Sequence, residues 1–178
     1  IVADDHVSVH RGTLRQVADA GLDLGWVLED IHTITVFDFG VWQNLVYLVM
    51  EYLDGEDLSS VLGDDGRLSC TDALGVARQI CQSLDEAHRA GVVHRDLKPD
   101  NIFLIQIPSG ELRIKVLDFG IAKLLDSAEG ADRLYETQVG TLVGTPYFMS
   151  PEQFDGRDVD ARTDLYSLGA LLYRMLLG

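Results

Sequence analysis

The sequence predicts an α+β fold in which a small β-rich part precedes a mostly helical part. Residues 34–39 and 45–50 are rich in β-branched and aromatic side chains, which is typical of strands. Further along, residues 73–88 carry apolar side chains at three- and four-residue steps, and residues 165–177 are apolar nearly all round. These two later patterns indicate an amphipathic helix and a helix that is buried on every side.

Turn and capping residues bound the first elements. Gly40 and the pair Gln43–Asn44 divide the two early runs, so we expect an antiparallel strand pair. Ser69-Cys-Thr-Asp72 is typical of a capping box and predicts the start of the long helix, which Gly91 ends. The buried stripe of this helix is predicted to contain Ala73, Leu74, Ala77, Ile80, Cys81, Leu84, Ala87 and His88. His88 is interpreted as a packed or dipole-facing residue, not a catalytic one.

The composition restricts the partners and the compartment. A formal charge of −15 and a pI near 4.4 argue against nucleic acid or an anionic membrane surface as the main partner. Cys70 and Cys81 are expected to be reduced, buried thiols, which favours the cytoplasm. No apolar run reaches the roughly 18 residues of a membrane span, and no basic leader is present. We expect no membrane contact in this segment, and an anchor beyond Gly178 stays open.

Residues 94–101, His-Arg-Asp-Leu-Lys-Pro-Asp-Asn, carry the densest chemistry in the chain. Asp96 can accept a proton from a hydroxyl, and Lys98 can steady a phosphoryl group. Asn101 offers the hard oxygen that magnesium prefers. Pro99 restricts Lys98 to extended backbone, so we expect a shaped loop and not a helix.

Three further blocks follow this loop. Residues 102–105 and 114–117 are predicted to form a second hairpin, and Asp118-Phe119-Gly120 comes directly after it. Residues 144–152 read Gly-Thr-Pro-Tyr-Phe-Met-Ser-Pro-Glu, and residues 164–169 read Asp-Leu-Tyr-Ser-Leu-Gly. In this order and spacing, the blocks resemble the signature of the protein kinase family, and most closely its bacterial Hanks-type serine/threonine members.

The resemblance implies an incomplete protein-kinase-like fold, a partial β-rich N-lobe with the first half of the helical C-lobe. Residues 1–33 stay unassigned, as a degenerate or foreign part of the N-lobe, and residues 34–178 form a partial kinase domain. Within that domain, residues 34–53 correspond to N-lobe strands and the hinge, and residues 54–178 to the C-lobe through its buried helix. Both ends of the chain are expected to be cut.

The same resemblance implies transfer of the ATP γ-phosphoryl group to a Ser or Thr hydroxyl of a protein substrate. Asp96 and Lys98 would be catalytic, while Asn101 and Asp118 would hold Mg²⁺, with Mn²⁺ as a substitute. The nucleotide-binding residues implied are Met50, Glu51, Leu53, Asp57 and Phe103. For Asp57 the alternative is a helix cap, and for Phe103 it is plain core packing.

Residues 118–152 resemble an activation segment. Arg95 would face a phosphorylated residue there, and Thr137 and Thr141 are the hydroxyls nominated for phosphorylation. Thr145 matches the family threonine that touches Asp96 and Lys98, although a turn hydroxyl before a proline is the alternative. Asp164 would accept backbone hydrogen bonds from the loop 94–101; a helix cap is the alternative, and both can be true.

The first thirty or so residues depart from the family pattern. They contain no Gly-x-Gly-x-x-Gly loop, and Lys98 is the first lysine in the chain, so no phosphate-anchoring lysine can be placed. We therefore expect weak or absent activity in this chain as given. The N-terminal part is either foreign or scrambled sequence, or the protein is a noncatalytic pseudokinase-like scaffold or nucleotide-binding module. A small-molecule phosphotransferase is disfavoured by the block at 144–152.

Overall fold

A computed structural model describes residues 30–42, 45–64, 66–106, 111–119 and 146–178. The chain divides into two compact units. The smaller unit includes Val36–Met50, and the larger unit consists of Leu28–Thr35 and Glu51–Gly178.

Two antiparallel strands, β1 (Val36–Trp42) and β2 (Leu45–Met50), form the described part of the smaller unit. Their register pairs Val36 with Met50 and Asp38 with Val49, so a bulge lies between the first two pairs. The predicted strand pair is confirmed, and its first strand begins and ends slightly later than the sequence pattern indicates.

A three-stranded antiparallel sheet organises the larger unit. Its order is β3 (Glu56–Asp57), β4 (Ile102–Gln106) and β5 (Leu112–Val116). The predicted second hairpin is therefore confirmed, with Ile102 opposite Val116. Thr33 bridges Val116 in parallel, so the segment before the smaller unit's strands extends the sheet beyond β5.

The described residues of the larger unit also form four α-helices: α1 (Leu58–Leu62), α2 (Cys70–Arg89), α3 (Pro151–Phe154) and α4 (Ala161–Leu177). Single 3₁₀ turns lie at Pro99–Asn101 and Pro146–Phe148. The helix α2 packs against α4 and β5. The Ser69 hydroxyl accepts the Asp72 N–H at 3.1 Å, which confirms Ser69 as the N-cap of α2, and it donates in turn to Asp72 Oδ2 at 2.6 Å. Fully buried members of the core include Leu58, Ile80, Leu84, Leu97, Ile102, Ile114, Leu171 and Met175.

The buried stripe of α2 differs from the predicted one. Leu74 is 55% exposed and Cys81 is exposed, whereas Gln79 and Ser83 are buried. Gln79 is held by the edge of the sheet, because its Oε1 accepts the Ile114 N–H and its Nε2 donates to the Leu112 carbonyl, both at 3.0 Å. Two polar side chains thus take core positions because they satisfy polar groups of their neighbours. The full buried set is Ala73, Val76, Gln79, Ile80, Ser83, Leu84 and Ala87.

Both cysteines are free and exposed, so the prediction of buried thiols is wrong. Cys70 is the first residue of α2, and Cys81 lies on its solvent face. The prediction that residues 165–177 form a helix buried on every side is wrong, because only one face of α4 is buried. Apolar side chains of its other face are exposed: Leu165, Tyr166, Tyr173 and Leu177. Among the described residues, no helix combines the length and hydropathy that crossing a bilayer requires.

Candidate active site

The loop 94–101 has the shape predicted from its proline. Lys98 is extended, with φ −153° and ψ 167°, and the 3₁₀ turn begins at Pro99. Leu97 is almost fully buried and anchors the loop from below.

Asp96, Lys98 and Asn101 meet in the structure. Lys98 Nζ donates to Asp96 Oδ2 at 2.7 Å, and Asn101 Nδ2 donates to the same oxygen at 3.2 Å and to the Asp96 carbonyl at 2.7 Å. Both side-chain contacts fall on Oδ2, so neither uses Oδ1. The Asp96 side chain is 65% exposed. An incoming hydroxyl can therefore reach a carboxylate whose orientation is already set.

Asp118, the second predicted metal ligand, directly follows a residue whose backbone is hydrogen-bonded to Asn101. The Leu117 N–H donates to the Asn101 carbonyl at 2.8 Å, and Asp118 follows with its side chain at the surface. Asp96 and Asn101 touch directly; that Asp118 joins them on one ion stays a prediction.

The donor chemistry at Asn101 and Asp118 fits magnesium. The Asn101 N–H₂ group donates to Asp96, which leaves the amide oxygen of Asn101 as its ligand atom. Asp118 supplies a carboxylate. Mg²⁺ in phosphate-binding sites is usually held by one or two protein oxygens, with phosphates and waters supplying the rest. Within the described ranges, no group of three His, Cys, Asp or Glu side chains forms an all-protein metal cage. Such a cage is not needed here.

Backbone strain is concentrated at this site. Among the described residues, Arg95 (φ 68°) and Asp118 (φ 59°) are the non-glycine residues with positive φ. Such conformations cost on the order of 1–3 kcal/mol each and persist where the surroundings enforce them. No sequence pattern indicated them, and both lie beside residues predicted to carry chemistry.

Asp164 holds the start of the loop. It is fully buried on α4, and its carboxylate accepts the His94 N–H and the Arg95 N–H, both at 2.9 Å. The alternative that Asp164 caps its helix is wrong, because Asp160 is the N-cap and accepts the Arg162 N–H. The predicted contact with the loop is confirmed.

His88 joins this carboxylate from α2. Its Nε2–H donates to Asp164 Oδ2 at 2.7 Å, so one buried group links two helices and the loop 94–101. The prediction of a packed, noncatalytic His88 fits this position. Its partner Asp164 lies 76 residues further along the chain, and no local pattern indicated this contact.

His94 connects the loop to Leu117 and Phe119, the residues on either side of Asp118, through its ring. Nε2 lies 2.9 Å from the Leu117 carbonyl, and the Asp96 N–H points to Nδ1 at 3.3 Å. A neutral imidazole protonated on Nε2 satisfies both contacts, since Nδ1 then keeps its lone pair. The ring also packs at 4.8 Å from the ring of Phe119. His94 therefore supports the backbone on both sides of the site.

Burial lowers the pKa of His94 below its ordinary value of 6.5, and the nearby carboxylates of Asp164 and Asp96 oppose this shift only in part. A group with a lowered folded-state pKa contributes stability that is fully present above 6.5 and is lost as the pH falls through the folded value. We expect this group to lower the unfolding free energy by up to about 1.4 kcal/mol per pH unit between pH 6.5 and the folded-state pKa, and no further below that pKa.

Urea unfolding at a pH of about 7.5 and about 5.5 measures this loss. His94→Leu removes the titrating ring and should flatten the difference between the two pH values, although it is less stable at both. The other described histidines are present in both proteins, so they do not contribute to the difference between wild type and His94→Leu. An equal pH dependence in His94→Leu would contradict the assignment.

Glu51, the first residue after β2, is fixed by contacts within the larger unit. Its N–H donates to the Thr35 carbonyl at 2.9 Å, and its Oε1 accepts the Thr35 N–H at 2.8 Å and Lys115 Nζ at 2.7 Å. Partial burial raises the pKa of Glu51, but the hydrogen bonds from Lys115 and Thr35 outweigh it and hold the pKa below 4.5. Lys115 also donates to the Thr33 carbonyl, at 2.8 Å, so it pins Glu51 to the strand that leads to Asp118.

Asp57 acts as a helix cap. Its Oδ1 accepts the Ser60 N–H at 2.7 Å and its Oδ2 accepts the Ser60 hydroxyl at 2.8 Å, so it closes the N-terminus of α1. Desolvation raises its pKa, and the hydrogen bonds from Ser60 more than compensate and lower it. The capping alternative is thus realised, and the contact with a ribose hydroxyl stays a prediction.

The remaining nucleotide predictions are placed but not tested. Met50 ends β2, Leu53 is half-buried after it, and Phe103 lies opposite Asp57 on β4. A Cβ at Gly55 would lie 2.0 Å from the Leu104 carbonyl oxygen, so only glycine lets the chain pass β4 this closely. Thr137, Thr141 and Thr145 lie outside the described residues.

Sequence reasoning missed Gln153 of α3. Ser150 caps this helix, and the Ser150 N–H donates to Gln153 Oε1 at 3.1 Å, which completes a capping box. Gln153 Nε2 donates to the Arg95 carbonyl at 2.6 Å. The available signal was the pattern Ser-x-x-Gln at 150–153, which predicts the cap but not the partner 58 residues away.

Comparison with known proteins places this geometry in context. A family model described as a protein kinase domain matches residues 27–178. The serine/threonine-protein kinase Pkn1 of Myxococcus xanthus is 46% identical over 145 residues, and serine/threonine-protein kinase A of Synechocystis is 42% identical over 160 residues. These alignments cover 82% and 84% of this chain but 20% and 29% of the relatives. The chain thus spans less than a third of their length.

A solved structure has a similar fold. The crystal structure of the Mycobacterium tuberculosis PknI kinase domain is similar with a TM-score of 0.66 and 26% sequence identity. The superposition covers 92% of this chain and 57% of that chain.

Proposed function

This chain belongs to the protein kinase family, in its bacterial Hanks-type serine/threonine branch, and we propose that it carries the catalytic loop and metal-binding Asp of an ATP-dependent kinase. Its fold is the α+β kinase-like fold that the sequence predicts. The observation that carries the proposal is the meeting of Asp96, Lys98 and Asn101 in one loop. Family members use ATP and a divalent metal, and the substrates here would be Ser or Thr hydroxyls of proteins.

The proposed reaction assigns one role to each of these residues. Asp96 Oδ1 accepts the proton of the substrate hydroxyl, whose oxygen forms a bond to the γ-phosphorus while the bond to the β–γ bridging oxygen breaks and ADP leaves. Lys98, 2.7 Å from Asp96, lies where it can neutralise charge on the transferred group. Bound Mg²⁺, held by Asn101 and Asp118, would neutralise the phosphate oxygens.

Adenine recognition is proposed for the segment after β2. The Glu51 carbonyl and the Leu53 amide would bind the adenine edge, and Lys115 and Thr35 hold Glu51 in place by its side chain. Met50, Asp57 and Phe103 stay proposed members of this site. Thr137, Thr141 and Thr145, with Arg95, stay the proposed regulatory group.

Incubation of the full-length protein with labelled ATP and Mg²⁺ tests the proposal directly. Matched peptides that differ only in Ser, Thr, Tyr or Ala at one position are offered, on a basic background that suits the acidic chain. We expect label on the Ser and Thr peptides only, and loss of transfer on addition of EDTA. Binding of ATP without transfer would support a noncatalytic scaffold instead.

Nucleotide binding can be tested separately through Asp118→Asn. We expect Mg-ATP at about 100 times its Kd to stabilise the protein by about 2.7 kcal/mol, and EDTA to remove the magnesium-dependent part. Asp118→Asn should lose that part because the carboxylate ligand is gone. The matched control is Asp100→Asn, the same chemical change at an exposed position of the loop 94–101. A magnesium-dependent shift of wild-type size in Asp118→Asn would contradict the metal assignment.

A further inference from the structure

The peptide between Arg95 and Asp96 is held at both ends. The Arg95 carbonyl accepts a hydrogen bond from Gln153 Nε2 at 2.6 Å, and the Asp96 N–H donates to His94 Nδ1 at 3.3 Å. One residue earlier, the Arg95 N–H is held by Asp164. Since Arg95 has a φ of 68°, this strained backbone needs such contacts in order to persist. The plane of this peptide fixes the direction in which the Asp96 side chain leaves the backbone.

The amide of Gln153 is itself oriented. Its Oε1 accepts the Ser150 N–H at 3.1 Å, and the Ser150 hydroxyl faces the Gln153 N–H at 3.4 Å. With the oxygen used in the capping box, the N–H₂ group points to Arg95. The hydrogen bond to the loop therefore depends on residues 150–153 being seated as they are.

We propose that Gln153 is a positioning residue for Asp96. Gln153 couples the conformation of residues 146–150, the segment that enters α3, to the orientation of the Arg95–Asp96 peptide. This inference rests on the proposed function, in which Asp96 accepts the substrate proton. Residues 146–150 lead directly into α3, so displacement of this segment would remove the donor from the Arg95 carbonyl. Gln153 then links the orientation of the catalytic carboxylate to the conformation of the segment in front of it.

A plain helix cap is the competing explanation, and the chemistry of the side chain separates the two. A capping box works with Glu as well as with Gln, because only the side-chain oxygen is needed. A negative charge at this position also suits the N-terminus of a helix. Only Gln, however, can donate to the Arg95 carbonyl. Gln153→Glu therefore keeps the cap and turns the contact with the loop into a repulsion between two oxygens.

The experiment compares wild type, Gln153→Glu and the control Gln82→Glu, which adds the same charge at an exposed position of α2. We expect Gln153→Glu to lower kcat by roughly tenfold to a hundredfold, as expected for a misplaced catalytic group. The KM for ATP and the Tm should stay at wild-type values. Gln82→Glu should match wild type in all three. An unchanged kcat in Gln153→Glu, or a kcat loss that only follows a lower Tm, overturns the proposal.

A second readout is independent of catalysis. The ¹H–¹⁵N resonance of the Asp96 amide reports on the Arg95–Asp96 peptide, and Gln153→Glu should shift it while Gln82→Glu should not. If the wild-type protein transfers no phosphate but this shift occurs, the proposed function fails and the positioning by Gln153 stands. If the resonance does not move, the positioning is wrong whatever the activity.

Discussion

Asp96→Asn is expected to abolish phosphoryl transfer without unfolding the protein. An amide in place of the carboxylate cannot take up the hydroxyl proton, and assistance of this kind contributes roughly 10²–10⁴ in rate. The loss of charge also removes the ion pair with Lys98. The measurement is kcat and KM for ATP in the full-length protein, with the far-UV circular dichroism and the Tm as the check on folding.

The fold should survive because Asp96 contributes little to packing. Its side chain is 65% exposed, and such surface ion pairs are worth about 0–1 kcal/mol. Asn101 keeps its bond to the Asp96 carbonyl, which the substitution leaves in place. Asp100→Asn serves as the control, with wild-type kcat expected. Activity at the wild-type level in Asp96→Asn would sink the proposed mechanism.

Local signals in the sequence were enough to predict the site loop and most elements. Pro99 dictated an extended Lys98, and Ser69 and Asp72 marked the start of α2. These predictions succeed because the physical cause and its effect lie within a few residues of each other. The same holds for the hairpin of β4 and β5, whose apolar and β-branched runs pair across a short connection.

The predictions that failed concern contacts between distant segments. The period of α2 was evident, but its phase depended on Gln79, which bonds to the backbone of β5 more than thirty residues away. Cys81 and Leu74 looked apolar enough for the core and lie outside it. A sequence pattern records hydrophobicity, whereas an edge strand also needs hydrogen-bond partners, and these can only be identified in three dimensions.

The candidate site shows the same division. The motif residues Asp96, Lys98 and Asn101 were predicted by type and spacing, and the structure brings them together. The supporting contacts from His88 and Gln153 were not predicted, since 76 and 58 residues separate them from their partners. The residues proposed to be catalytic could thus be predicted from the sequence more readily than the residues that hold them in place.

Asp164→Ala is expected to be the most destabilising single change in the described part of the chain. Asp164 is fully buried, and its loss leaves three donors without an acceptor: the His94 N–H, the Arg95 N–H and the His88 ring. A buried donor left unpaired costs about 1–3 kcal/mol, so the loss of an acceptor shared by three donors should cost about 3–5 kcal/mol in all. We expect a loss of about that size in urea unfolding, which is a large share of the stability of an ordinary domain.

Two companion variants separate the buried carboxyl from a general effect of helix α4. Asp164→Asn keeps one acceptor oxygen and places an N–H₂ group opposite another donor, so its stability should fall between wild type and Asp164→Ala. Asp160→Asn changes the N-cap of the same helix, and asparagine caps well, so little change is expected there. Asp164→Asn weakens the hold on the Arg95 N–H. We therefore expect its kcat to fall further than its loss of folding free energy alone would explain. If Asp164→Ala unfolds at the same urea concentration as Asp160→Asn, the central role of this carboxyl is wrong.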